Sequence, residues 1–401
     1  MNRYREEVPY IFSPPKYSVF WAPIIQLLSD HLYLHRKHRV KMVAVGPGIE
    51  ALTRHYSNRD SILIAPNHSD HADPHVMMNI ARRFKVPLHF IAAREIFLAN
   101  HGINGKILQR AGVFSIDREG TDLRSIKEAM RIVAEADFPL VMFPEGEIYH
   151  LNERLTPLNE GAATIMLRTA KKLKKEKPEK KVVIIPTAIR YNYLDDVTKT
   201  FPAAMADLEK QILWRPQNHL PIIERIYKFG EAVLSLKEKE FLGKTQHGTL
   251  SERLASFRET VITEMEARYL KKTGEDTHPE RIRRLRGCIR NILLAEEKPV
   301  QPTLDQCYRD LDALYMAIQL YSYPGQYLRE KPSPDRVAET ILKFDEDFFH
   351  RTNPRGRRKA EVTFCEPIVV SDMLADYAGD GKNVTRQVTQ RVEQAIRNVL
   401  E

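Results

Sequence analysis

A histidine and an aspartate stand five positions apart in the segment Asn67-His68-Ser69-Asp70-His71-Ala72-Asp73. A neutral imidazole is well suited to accept a proton near pH 7, and a carboxylate beside it fixes the orientation of the ring. The pair therefore predicts general-base catalysis on a hydroxyl group, with His68 as the base and Asp73 as its partner. Because positions five apart on one straight helix point about 140° away from each other, a turn must separate the two residues.

The flanking residues predict a strand, a turn and a helix around this pair. The run from Ser61 to Pro66 is short, apolar and bounded by turn residues, which is typical of a buried strand that ends just before His68. Asp73 precedes Pro74, and proline favours the first helical turn while disfavouring helical geometry in the residue before it. We therefore expect Asp73 to be the N-cap of a helix.

Three more segments that combine apolar runs with polar or turn-forming residues follow in order. They are Gly112-Val113-Phe114-Ser115-Ile116-Asp117-Arg118, Phe143-Pro144-Glu145-Gly146 and Val182-Val183-Ile184-Ile185-Pro186-Thr187. Together with Asn-His-x-x-x-x-Asp, these four blocks resemble those of the glycerolipid acyltransferase superfamily, which includes glycerol-3-phosphate and 1-acylglycerol-3-phosphate acyltransferases. The resemblance covers about residues 55 to 195. It implies an O-acyltransferase of phospholipid biosynthesis.

The resemblance also implies the substrates and their binding residues. A fatty acyl group would move from acyl-CoA or acyl carrier protein to a hydroxyl of a lysophospholipid, with 1-acylglycerol-3-phosphate or glycerol-3-phosphate expected first. The family assigns Arg118 to the acceptor phosphate, which suits its planar guanidinium, and places Glu145 and Gly146 at the acceptor site. Gly146 permits close approach of the backbone to a ligand. The resemblance implies no metal and no cofactor beyond the thioester co-substrate.

One block departs from the family where the acceptor would bind. Many members carry Thr-Arg-Ser after Phe-Pro-Glu-Gly, whereas this chain reads Glu147-Ile148-Tyr149. A carboxylate beside an anion site disfavours a phosphate electrostatically. A zwitterionic head group or another hydroxylated lipid therefore remains an alternative, and the sequence does not decide the acceptor, the donor or the acyl length.

Two other classes of function compete with acyl transfer. The crowding of His68, Asp70, His71, Asp73 and His75 resembles metal ligation, so a metal-dependent hydrolase is the first alternative. The His-x-His-x-Asp-His loop of binuclear metallohydrolases is incomplete, however, since Pro66 stands at its first ligand position. The second alternative is a lipid-binding protein without turnover.

Charge and cysteine usage suggest the partners and the compartment. The 401 residues include 62 basic and 53 acidic side chains, a formal net charge of +9. This balance favours acidic partners, namely an anionic membrane surface, acyl-CoA and acyl carrier protein, and no nucleic-acid module accompanies it. The three cysteines, Cys288, Cys307 and Cys365, are typical of a reducing compartment.

The apolar runs are too short to span a bilayer, which needs about 20 residues. We therefore expect a peripheral protein on the cytoplasmic face of a membrane, attached through an amphipathic N-terminal segment, residues 1–40. In residues 9–40 the aromatic side chains suit a lipid headgroup layer and the basic ones suit anionic phosphates. The two sets are Tyr10, Phe12, Tyr17, Phe20 and Trp21, and His35, Arg36, Lys37, His38, Arg39 and Lys41.

Alternating strand and helix patterns to about residue 195 predict an α/β fold, with a mixed or mostly parallel sheet flanked by helices and an added mainly helical region. We predict an acyltransferase core at 41–235, a helical insertion or appended helical region at 236–355, and a strand and helix at 356–401 that pack back on the core. The strand that closes the sheet is ambiguous, because 226–233 and 362–369 both resemble it.

Overall fold

The computed structural model describes residues 9–120, 122–270, 276–297 and 300–401. Its residues divide into two units. Tyr10–Leu194 and Arg357–Glu401 form the first, which we call the sheet unit, and Asp195–Gly356 form the second, which we call the helical unit. Along the chain, the helical unit therefore stands between the two parts of the sheet unit.

The sheet unit is built on eight strands, counted over the described residues. In chain order they are β1 (Val40–Val45), β2 (Ser61–Pro66), β3 (His89–Ala93), β4 (Val113–Ile116), β5 (Leu140–Val141), β6 (Val182–Tyr193), β7 (Arg358–Phe364) and β8 (Ile368–Val369). Valine and isoleucine predominate in the central strands, and every residue of β2 is buried. Such continuous apolar runs are typical of parallel strands that are covered on both faces.

The strand order is β1-β7-β6-β2-β5-β3-β4, with β8 paired to β6. Pairing is parallel throughout except where β6 meets β7 and β8, which run antiparallel to it. The α/β class with a mixed, mostly parallel sheet is confirmed. Because β2, β4 and β5 run in the same direction, the loops that follow them emerge at one edge of the sheet.

Helices cover both faces of this sheet. They are α1 (Trp21–Leu28), a π-helix (Ser29–Lys37), α2 (Ile49–Ser57), α3 (Asp73–Phe84), α4 (Arg94–Leu98), α5 (Ile103–Arg110), α6 (Leu123–Glu135), α7 (Gly161–Glu176), and, after the helical unit, two helices named below. Successive residues of β2 point to opposite faces. Ile62 and Ile64 accordingly join one apolar core, and Leu63 and Ala65 join the other.

The helical unit contains α8 (Phe201–Ile212), α9 (Ile222–Leu242), α10 (Leu250–Tyr269), α11 (His278–Leu294), α12 (Leu304–Tyr321), α13 (Tyr327–Glu330) and α14 (Pro334–Phe349). After β8, α15 (Leu374–Gly379) and α16 (Gly381–Leu400) complete the sheet unit. Residues 226–233 lie within α9, so the strand alternative for this segment is wrong. The sheet unit also ends its first part at Leu194, earlier than the predicted boundary at residue 235.

The N-terminal segment differs in part from its prediction. Three of its aromatic side chains pack on the sheet unit itself: the Tyr10 hydroxyl lies 3.1 Å from the Ser115 carbonyl oxygen, Phe12 contacts Phe114 and Tyr17 contacts Phe138. Phe20 and Trp21 remain exposed, by 69% and 47%. Within the described ranges, no helix combines the length and the apolar character needed to cross a bilayer.

Candidate active site

The end of β2 holds the first catalytic candidate in place. Asn67 follows the strand directly, and its side-chain amide donates to the Ile189 carbonyl oxygen at 3.0 Å and accepts from the Ile189 N–H at 2.7 Å. The Asn67 backbone N–H also donates to the Thr187 carbonyl oxygen at 3.2 Å, so the contact between β2 and β6 continues beyond Pro66. The next residue, His68, therefore leaves the sheet from a fixed position.

His68 and Asp73 are in contact, as the sequence indicated. The His68 Nδ1 lies 2.9 Å from the Asp73 Oδ2, and Asp73 is fully buried. The same Oδ2 accepts from the Asp70 N–H at 3.0 Å, and Oδ1 accepts from the Tyr191 hydroxyl at 2.6 Å. Asp73 is the first residue of α3, one position after its predicted place as N-cap, because its carboxylate serves these three donors and not the helix end.

The imidazole of His68 is partly exposed and is supported on one face. Its side chain is 15% exposed, and its ring stacks on Phe143 with a centroid distance of 4.2 Å. With Nδ1 directed at Asp73, Nε2 is the atom that can accept a proton from a substrate. No partner for Nε2 occurs among the residues that the structure describes.

Glu145 fixes the loop that carries His68. Its Oε1 accepts from the His68 N–H at 2.5 Å, and its Oε2 accepts from the backbone N–H and the hydroxyl of Thr156. Burial raises the pKa of the Glu145 carboxyl. Both oxygens are therefore engaged within the protein, and Glu145 orders the site through the backbone of the candidate base.

Gly146 joins the candidate base to the candidate anion-binding residue. Its φ of 80° is in the left-handed region that favours glycine, and its carbonyl oxygen accepts from the Arg118 Nη1 at 2.7 Å. Arg118 follows β4 and Gly146 follows β5, so both reach the same edge of the sheet as His68. The strand before the third block is short, Leu140–Val141, although the Met142 N–H still donates to the Ile64 carbonyl oxygen.

Two carboxylates also face the Arg118 guanidinium. The Glu147 Oε2 lies 2.9 Å from Nη1, and the Glu95 Oε2 lies 3.9 Å from Nη2. Glu147 is the main cause of a raised Arg118 pKa, with Glu95 and Glu119 adding to the effect. The three side chains in these ion pairs are partly exposed, at 31% for Arg118, 36% for Glu147 and 46% for Glu95.

Four of the five residues of the metal-ligand alternative have identified hydrogen-bond partners. Asp73 is engaged by His68 and Tyr191, Asp70 by Arg358 at 2.6 Å, and the His75 Nδ1 by the Ser29 hydroxyl at 2.6 Å. Burial lowers the pKa of His75 to about 4, so its ring is neutral at pH 7. These contacts do not bring His68, Asp70, Asp73 and His75 together at one point.

Sequence reasoning missed two residues that hold the site. Tyr191, on β6, donates to Asp73, and Arg358, on β7, binds Asp70 in the loop between His68 and Asp73. Burial alone would raise the pKa of Asp70, but the Arg358 guanidinium outweighs it and holds that pKa well below its usual range. The alternation of side chains along β6 indicates on which face of the sheet Tyr191 lies. Nothing in the local sequence points to Arg358.

Comparisons with known proteins match this part of the chain. Residues 48–190 match a family model described as Acyltransferase. A curated relative, the 1-acyl-sn-glycerol-3-phosphate acyltransferase of Streptococcus pneumoniae (strain ATCC BAA-255 / R6), is 33% identical over 125 residues. That alignment covers 29% of this chain and 43% of the relative, so the chain spans less than half of the relative's length. Residues 48–190, which include His68, Asp73, Arg118, Glu145 and Gly146, are therefore similar to the acyltransferase family.

Proposed function

We propose that this protein is an O-acyltransferase that moves a fatty acyl group from a thioester donor to a hydroxyl of a glycerolipid. The contact that carries the proposal is the pairing of the His68 Nδ1 with the buried Asp73 carboxylate. It fixes the ring so that Nε2 points away from Asp73, which is the arrangement required of a general base. The similarity of residues 48–190 to the acyltransferase family supports the same chemistry.

In the proposed reaction, His68 Nε2 takes the proton of the acceptor hydroxyl as its oxygen attacks the thioester carbonyl carbon. Asp73 stabilises the imidazolium that forms. The carbon–sulfur bond then breaks, and the leaving thiolate takes the proton from His68, so the base is regenerated. The thioester supplies the activated acyl group and the imidazole supplies the base. We therefore propose that no metal or further cofactor takes part.

The donor and acceptor remain at the level of chemical class. Acyl-CoA and acyl carrier protein are both candidates for the donor, and a lysophospholipid is the candidate acceptor. The name of the relative makes 1-acylglycerol-3-phosphate, with glycerol-3-phosphate, the acceptor to test first. Because these lipids reside in membranes, we also propose that the protein acts peripherally at an anionic membrane on its cytoplasmic face.

The test is thiol release from an acyl-CoA panel and from acyl carrier protein, with and without lysophosphatidate and other lysophospholipids. We expect acceptor-dependent release from the unaltered protein. His68→Asn should lower kcat by at least about 100-fold, because the asparagine amide can still donate to Asp73 but has no second nitrogen to accept the proton. Undiminished kcat in this variant would refute His68 as the base.

The chain contains a matched control for this variant. His55 and Asp60 have the same spacing, and the His55 Nδ1 lies 2.7 Å from the Asp60 Oδ2, but this pair is near the start of β2 and not at its end. His55→Asn should keep kcat within about twofold of the unaltered protein, since a buried pair away from the site contributes stability and not chemistry. Equal losses in both variants would indicate general damage and would leave the base unassigned to His68.

A further inference from the structure

Arg118 is linked to the candidate base through two hydrogen bonds that are joined by the peptide bond between Glu145 and Gly146. Its Nη1 donates to the Gly146 carbonyl oxygen, Gly146 directly follows Glu145, and Glu145 accepts from the His68 N–H. The guanidinium therefore lies at the same edge of the sheet as His68, in the place where the polar end of an acceptor must lie if its hydroxyl is to reach Nε2. Its side chain is 31% exposed, so a head group can reach it.

The charges around this guanidinium do not match a phosphate monoester. Glu147 lies 2.9 Å and Glu95 3.9 Å from its nitrogens, and the buried Glu119 carboxylate also acts on it. Arg94 adds a second cation, with its Nε 3.6 Å from Glu95. Three carboxylates thus outnumber two guanidinium groups in this cluster, which we call the Arg118 cluster.

A phosphate monoester brings about −1.5 to −2 charges at pH 7. Bound at Arg118, it would lie beside the Glu147 and Glu95 carboxylates, where like charges repel. A zwitterionic head group faces no such penalty, because its ammonium can pair with Glu147 and Glu95, which are 36% and 46% exposed. The phosphodiester of such a head group carries a single negative charge. This phosphodiester can lie outside the ion pair between Arg118 and Glu147.

We infer that Glu147, together with Glu95, selects an acceptor with an ammonium-bearing zwitterionic head group and disfavours a phosphate monoester. This inference rests on the proposed acyl transfer for its biological meaning, but the charge selection is a property of the Arg118 cluster itself. Glu147 thereby acts as a specificity-determining residue.

The first experiment measures binding without turnover. Glycerol 3-phosphate is titrated into the full-length protein and into Glu147→Gln by calorimetry. Removing one carboxylate at contact distance from the guanidinium should tighten binding by about tenfold or more. The matched control is Glu135→Gln, which removes the same charge from an exposed ion pair with Arg131 on α6. Equal affinity in the unaltered protein and in Glu147→Gln would overturn the inference, whatever reaction the protein catalyses.

The second experiment compares kcat/KM for lysophosphatidylethanolamine and lysophosphatidate with an acyl-CoA donor. We expect the unaltered protein to prefer the ethanolamine lipid, and Glu147→Gln to shift the ratio toward lysophosphatidate by about tenfold. Glu135→Gln should leave the ratio unchanged. A preference for lysophosphatidate that Glu147→Gln does not alter would overturn the inference. If no acceptor supports turnover, the proposed function fails, and the binding experiment still decides the role of Glu147.

Discussion

At the residue scale, a histidine five positions before an aspartate does not by itself identify a catalytic pair. This chain has two such pairs, His68 with Asp73 and His55 with Asp60, and both are within hydrogen-bond distance. They differ in position and exposure. The first lies at the carboxyl end of β2 with a partly exposed imidazole, whereas the second is buried near the start of the same strand. Place in the sheet therefore distinguishes them better than spacing or contact.

Tyr191 is the closest support of the candidate pair, and we predict that it positions Asp73. Its hydroxyl donates to the Asp73 Oδ1 at 2.6 Å inside a fully buried site. Tyr191→Phe removes that donor and leaves the carboxylate held on one oxygen only. We expect kcat to fall by roughly tenfold, equivalent to about 1.4 kcal/mol, with little change in KM, because this buried hydroxyl acts through Asp73. Steady-state kinetics at saturating donor would measure both kcat and KM.

A second buried tyrosine provides the control for this prediction. The Tyr323 hydroxyl donates to the Asp347 Oδ2, also at 2.6 Å, within the helical unit. Tyr323→Phe should lower stability to a similar extent and leave kcat unchanged. If Tyr323→Phe lowers kcat as much as Tyr191→Phe does, the loss reports general destabilisation, and the positioning role of Tyr191 is wrong.

At the scale of elements, β7 connects a distant part of the chain to the site. It lies between β1 and β6, and its first residue, Arg358, binds Asp70 within the loop that carries His68. The guanidinium also donates to the His38 carbonyl oxygen. Burial lowers the pKa of His38 to about 3, so this histidine is neutral at pH 7 and does not repel the arginine.

We predict that Arg358→Met costs about 3–5 kcal/mol of stability, because it leaves the Asp70 carboxylate buried without its cation. Adding Asp70→Asn should restore at least about half of this loss, since the neutral amide no longer needs a charged partner. Urea unfolding of the two single variants and the double variant measures the coupling between the residues.

The same experiment separates stability from catalysis. Arg225→Met breaks another buried pair, with Glu209, within the helical unit, where Arg225 is 3% and Glu209 0% exposed. We expect a comparable stability loss without a loss of kcat, whereas Arg358→Met should lower both. A double variant that is no more stable than Arg358→Met would show that Asp70 and Arg358 are not coupled.

The sequence predicted β2 and the turn after it, since an apolar run ending in polar residues is a local signal. It offered 362–369 as one of two candidates for the strand that closes the sheet, and this segment overlaps β7 and β8, which both pair with β6. It did not predict Arg358 as the partner of Asp70, because contacts across 195–356 depend on long-range packing. The error at 226–233 has a local cause. An apolar run this short suits a strand or a turn of buried helix equally well, and only the longer context of Ile222–Leu242 decides it.

At the scale of the whole molecule, apolar side chains of α1, of the π-helix and of the two residues before α1 are exposed to solvent. The side chains are Val19, Phe20, Trp21, Ile24, Leu27, Leu28, Leu32 and Tyr33, each at least 39% exposed. Basic residues follow directly at 35–37. Tyr33 stacks on His75, which belongs to the helix that begins at Asp73. This apolar surface therefore lies on the helices next to the candidate site, which suits our proposal of contact with an anionic membrane.

The two tryptophans of the chain, Trp21 and Trp214, allow this proposal to be tested directly. Trp214→Phe leaves Trp21 as the only tryptophan. With vesicles that contain phosphatidylglycerol, we expect its emission to shift to shorter wavelength and to be quenched by brominated acyl chains, because the indole enters the interfacial layer. The shift should weaken at 1 M salt, where the screening length falls to about 3 Å.

Trp21→Phe is the matched control, since it leaves Trp214, which is 88% exposed and lies in the helical unit. If exposure alone decided the result, the emission of Trp214 would shift on addition of lipid at least as much as that of Trp21. A membrane-bound α1 instead predicts that Trp21 responds and Trp214 does not, and that Phe20→Ser weakens vesicle binding in flotation. If both tryptophans respond alike, the surface around α1 is not the membrane contact. The same conclusion follows if neither tryptophan responds while acyl transfer to dispersed acceptors proceeds, and the acceptor then reaches His68 by another route.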